Sequence, residues 1–119
     1  MNPALSWTTV NNAQSYAIVV NHTNSTGNYT HWAVKNIPAT TLSLKENSIG
    51  GGVVLKNSFN NQGYSGPETL DVTQTYKFYI YAVKVTSLVA TELTGFYSEL
   101  ENDKVGYGNI NAVYANTKS

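Results

Sequence analysis

The chain has no cysteine and no arginine, and only three prolines and one methionine among 119 residues. Without cysteine there is no disulfide, no thiol nucleophile and no thiolate metal site, and the redox compartment stays open. Without arginine the usual bidentate grip on phosphate is lost. Seven lysines balance seven acidic residues, and charged residues make up only 12% of the chain. That leaves no basic face of the kind nucleic-acid binding needs. Any anion must therefore be held by backbone N–H, histidine, tyrosine, lysine or hydroxyl groups. No apolar run approaches the roughly 18 residues of a membrane helix, so a soluble chain is expected. No basic-then-apolar leader opens the sequence, so any signal peptide is expected to have been cut away or never to have existed.

What the chain does have is asparagine, threonine, serine and tyrosine. Three Asn-x-Thr triplets, at Asn21, Asn24 and Asn28, would be glycosylation acceptors on a secreted protein. A composition this rich in Asn and Thr also produces such triplets by itself, so secreted and cytoplasmic locations both stand.

At this length one domain with one core is expected over residues 1–119. Ser15 to Val20 is a continuous β-branched and aromatic run and reads as a strand buried on both faces. Asn21 to Asn28 is polar with one glycine and reads as a loop. Tyr29 to Ile37 reads as the next strand, stopped by Pro38. Ala39 to Gly52 is mostly turn, Val53 to Leu55 a short strand, and Asn57 to about Thr73 a long loop. Loops of that length in a small domain are usually functional. Gly63 and Gly66 within it are read as turn residues suited to positive φ.

Thr75 to Val85 alternates with apolar residues on both faces, as a central strand does. Leu93, Phe96, Tyr97 and Leu100 recur at helical spacing, with Thr91 as the expected N-cap and Gly95 costing about 1 kcal/mol in the interior. Tyr107 to Tyr114 is expected to return to the sheet as one last strand. The fold class is mainly β: an antiparallel β-sandwich with one or two peripheral helices.

Two segments carry the chemistry, His31-Trp32 running to Pro38 and Asn57-Ser58-Phe59 running to Gly63-Tyr64-Ser65-Gly66-Pro67. Together with Asn2 to Trp7, Tyr16 to Val20 and Tyr76 to Val83, in that order, they resemble the phosphatidylethanolamine-binding protein family, also called Raf kinase inhibitor-like. The resemblance implies a pocket for phosphate, acetate or a phospholipid head group. His31 matches the family histidine, Gly66 and Pro67 its pocket rim with Tyr64 just before, and Tyr76 the tyrosine opening the central strand. The family's acidic stretch falls on His22-Thr23-Asn24-Ser25-Thr26, its second histidine on Gln74, and the prolines after Gly-Pro on Glu68-Thr69. The family also carries further strands before the segment matched by Met1, so a trimmed form, or an exposed sheet edge able to pair with a second copy, is expected.

The implied ligand site thus comprises His31, His22, Tyr64, Gly66, Pro67, Gln74 and Tyr76. An anion between two histidines would bind more tightly below about pH 6.5, the ordinary histidine value. An isolated strand histidine is more often inert, and His22 in a polar loop would face water. Neither histidine has a carboxylate partner for triad chemistry, and zinc would need a third ligand that the sequence does not name. A non-enzymatic binding module without metal or cofactor is expected. A protein-interaction regulator of a kinase or protease and a scaffold with a lost site are the alternatives.

Overall fold

The computed structural model describes residues 4–24, 27–45, 48–63, 76–108 and 110–113, with the backbone alone considered at 22–24, 27, 28, 76, 106–108 and 110–113. The elements are β1 (Ala4–Trp7), β2 (Ser15–Asn24), β3 (Gly27–Pro38), β4 (Ser43–Leu44), β5 (Val53–Val54), β6 (Tyr76–Val83), α1 (Leu93–Asp103), β7 (Lys104–Gly108) and β8 (Ile110–Val113). They form a five-stranded sheet in the order β5-β3-β2-β6-β7 and a three-stranded sheet in the order β4-β1-β8, with antiparallel pairing throughout.

The alternation along each strand sorts the apolar residues into two layers. Tyr16, Ile18 and Val20 of β2, Trp32, Val34 and Ile37 of β3, and Ile80 and Ala82 of β6 pack against Leu5, Trp7 and Leu44 of the small sheet. Ala17, Val19, Ala33 and Val83 point the other way, onto Phe96 and Leu100 of α1 and onto Leu55 and Leu88. The chain is therefore a sandwich with a helix on its outer face. Residues 16–20 of β2 are buried on both sides because they lie between these two cores, which explains their uninterrupted apolar run.

Several expectations change. Residues 21–24 and 27–28 are strand, not loop: β2 and β3 extend as one long hairpin down to the pair Asn24 and Gly27. Beyond the core the pairing rests on backbone hydrogen bonds, so polar residues suffice and the hydrophobic pattern gives no sign of it. The helix starts one residue later than Thr91 suggested. Glu92 is the N-cap and makes no side-chain cap bond. The segment after the helix is two strands in different sheets, β7 beside β6 and β8 beside β1, in place of one. No helix is long and apolar enough to cross a membrane among the described residues.

Strand β3 carries two register shifts against β2. One lies between the pairs Tyr16–Ile37 and Ile18–Val34, so that Lys35 and Asn36 together face Ala17; Asn36 has φ +60°. The other lies between Val20–Trp32 and Asn21–Thr30 and falls on His31. Such bulges re-aim side chains that strict alternation would fix. Both bulges fall on residues with chemistry to offer.

Candidate functional site

His31 is buried, at 6% exposure, in the first half of β3 at its bulge against β2. Its ring centroid lies 5.0 Å from that of Phe59, which in turn stacks on Tyr29 at 5.9 Å. Phe59 belongs to the turn that follows Leu55, and that turn is organised by one side chain. Asn57 donates from Nδ2 to the carbonyls of His31 at 3.1 Å and Gly63 at 3.0 Å, while its Oδ1 accepts from the backbone N–H of Phe59 at 2.9 Å and Asn61 at 3.1 Å. Ser58 adds a second tie: its N–H donates to the Thr30 carbonyl and its hydroxyl accepts from the Thr30 N–H. The segment that starts at Asn57 is thus fastened to the bulge of β3 at Thr30 and His31.

The register brings further predicted residues to that end of the sheet. His22 on β2 pairs with Tyr29 on one side and with Tyr76 on the other. His22 is consequently a strand residue flanked by two tyrosine positions, and not a loop residue as its sequence surroundings suggested. The backbone brings His22, His31 and Tyr76 to neighbouring strands at one sheet end. Tyr64, Gly66, Pro67 and Gln74 lie outside the described residues. Gly63, expected to need positive φ, is not among the glycines that have it; those are Gly50 and Gly51. Among the described residues no three His, Cys, Asp or Glu side chains cluster as a metal site would require.

Sequence reasoning gave no role to a second polar group beneath this end. Thr30 Oγ1 and the Tyr97 hydroxyl lie 2.6 Å apart, and Asn21 Oδ1 accepts from Thr30 at 3.1 Å and from Tyr97 at 3.3 Å. Burial pushes the Tyr97 phenol above its ordinary value, and the bonds to Thr30 and Asn21 oppose that shift. The triad links β2, β3 and α1. It also engages Asn21 and Thr30, residues of two of the three Asn-x-Thr triplets, in packing. The only sequence signal for it was helical spacing, which put Tyr97 on the inner face of α1.

The family model for phosphatidylethanolamine-binding protein matches residues 1–115. The chain belongs to the phosphatidylethanolamine-binding protein family. Two solved structures share its fold. One is a phosphatidylethanolamine-binding protein homolog, CT736, from Chlamydia trachomatis, at 20% identity with a TM-score of 0.76 over 97% of this chain and 82% of that one. The other is Escherichia coli YbcL, described as a new member of the mammalian family, at 20% identity with a TM-score of 0.71 over 94% of this chain and 80% of that one. No curated protein sequence matches the chain.

Proposed function

We propose that this protein is a non-enzymatic binding module that takes a small anion, phosphate or a phospholipid head group, at the His31 end of the five-stranded sheet. The observation that carries the reading is the bulge at His31 together with the Asn57 tether on its carbonyl. These hold the imidazole beside the loop that leads to Gly66 and Pro67, the residues the family resemblance assigns to the rim. His22 on the adjacent strand stands where the family has a carboxylate, which makes the site less negative and suits an anion. Tyr64, Gln74 and Tyr76 complete the proposed set.

Titration with inorganic phosphate and with phosphorylethanolamine, followed by backbone amide shifts, tests this. Saturable shifts at residues 29–31 that are lost in His31→Ala support it; shifts that persist in that variant, or none at all, refute it. A second reading, a contact surface for a protein partner, is favoured by Phe59, which is 47% exposed on a loop that is otherwise fastened down. Capture of a partner that survives His31→Ala and fails in Phe59→Ser would select it.

A further inference from the structure

Lys35 is the most unusual charge in the molecule. It sits in the first bulge of β3 at 6% exposure, and lysine is rarely buried without a counter-charge. Its Nζ donates to the carbonyls of Leu88 at 2.9 Å and Ala90 at 2.5 Å, which accounts for two of its three hydrogens. Among the described residues no carboxylate forms an ion pair with it. Glu99, the acid tied to the same strap of chain, turns both oxygens to the N–H groups of Val89 and Ala90. Lys35 also lines a groove of about 320 Å³ together with Val53, Val54, Leu55, Lys56 and Thr91.

We infer that this groove is a second binding site, separate from the His31 end, for a carboxylate carrying a short apolar tail. The carboxylate would accept the remaining hydrogen of Lys35 and face Lys56, and the tail would lie along Val53 and Leu55, which share one face of the strand while Val54 turns to the inner core. Apolar walls with a few convergent polar groups are the general form of small-ligand sites, and this volume is at the lower end of their range. Glu92 also lines the groove and is exposed. With two lysines and one glutamate around it the groove is positive by a single charge, which suits a monoanion and opposes a dianionic phosphate. Lys35 lies four residues from His31 along β3, roughly 13 Å at strand spacing, so ligands at the two sites do not compete.

Titration of the full chain with hexanoate and with acetate, followed by backbone amide shifts, decides the matter. Hexanoate should give saturable shifts at residues 53–56 and 91–93, with an affinity at least about tenfold above that of acetate because of the buried methylenes. Lys35→Met should weaken hexanoate at least about tenfold, Glu92→Gln should strengthen it severalfold, and His31→Ala should leave it unchanged. Equal affinities for acetate and hexanoate, shifts confined to the His31 end, or unaltered binding in Lys35→Met would each overturn the inference. If Lys35→Met does not fold, Val53→Trp at the exposed mouth of the groove replaces it. Retention of hexanoate binding in that variant refutes the site equally.

Discussion

Asn57 is the side chain whose removal should tell most about this fold. It is 5% exposed, and among the described residues its side chain donates to the carbonyls of His31 and Gly63 and accepts from the N–H groups of Phe59 and Asn61. Each neutral hydrogen bond contributes about 1 kcal/mol net, and an acceptor left buried and unpaired costs more. The groups released are not equivalent. The N–H groups of Phe59 and Asn61 belong to exposed residues and rehydrate, whereas the carbonyl of His31 belongs to a buried strand residue. Asn57→Ala should therefore cost about 2–3 kcal/mol, less than four full bonds would suggest. For a domain of this size that lowers Tm by roughly 10 °C. Asn57→Asp separates geometry from charge. It keeps the oxygen that accepts from Phe59 and Asn61, but at neutral pH it turns a second anionic oxygen toward the two carbonyls that Nδ2 now serves. Aspartate should therefore be at least as damaging as alanine, despite being the closer match in shape. Urea unfolding of the three proteins at pH 7 measures this, and amide exchange at residues 57–63 should accelerate in both variants. If aspartate restored wild-type stability, or if alanine fell within about 0.5 kcal/mol of it, Asn57 would not be the organiser of this loop.

The raised Tyr97 phenol gives a pH dependence of definite sign. Its contribution to stability is fully present below the ordinary tyrosine value of 10.0 and is lost as pH rises past it; urea midpoints from pH 8 to 11 should fall more steeply for wild type than for Tyr97→Phe. The two glycines bounding strand β5 and its loop should behave in opposite ways. A Cβ at Gly52 would meet Val34 Cγ1 at 2.7 Å and the Lys35 carbonyl at 2.8 Å, so Gly52→Ala should destabilise by about 1–3 kcal/mol in thermal melts. At Gly63 nothing among the described residues lies within 4 Å of an added Cβ and φ is not positive, so Gly63→Ala should be neutral or stabilising by up to about 1 kcal/mol. Phe96→Ala, which empties the core under α1, should cost about 3–5 kcal/mol by chemical denaturation.

The parts of the architecture that bury apolar residues were legible in the sequence. The unbroken run of β2, the two-faced alternation of β6 and the i, i+3, i+4, i+7 pattern of α1 each state how they pack, and the sandwich with a peripheral helix follows from them. Features held by polar pairing were not. The hairpin arms around Asn24 and Gly27 look like loop because nothing hydrophobic marks them. The division of the last segment between two sheets turns on where the chain crosses over, which composition does not encode. Glu92, and not Thr91, occupies the N-cap, and the strap before it is held by Glu99, seven residues downstream of the cap. At the site, His31 was visible through its Trp32 neighbour and the family resemblance. Asn57 and Lys35 were not: an asparagine at the head of a polar loop and a lysine in a strand look ordinary until burial makes them costly to leave unpaired.

The pairing of β1 with β8 joins Ala4 to Val113, residues more than a hundred positions apart. The central strand of the small sheet must therefore wait for a segment synthesised more than a hundred residues later, and closing so large a loop is slow. Until then Leu5 and Trp7 lack half of their sheet, and the apolar face of β2, β3 and β6 beneath them stays uncovered. A nascent chain in that state is exposed to chaperones and to self-association. Substitutions in β8 should therefore reduce the yield of folded protein more than they reduce the stability of molecules already folded.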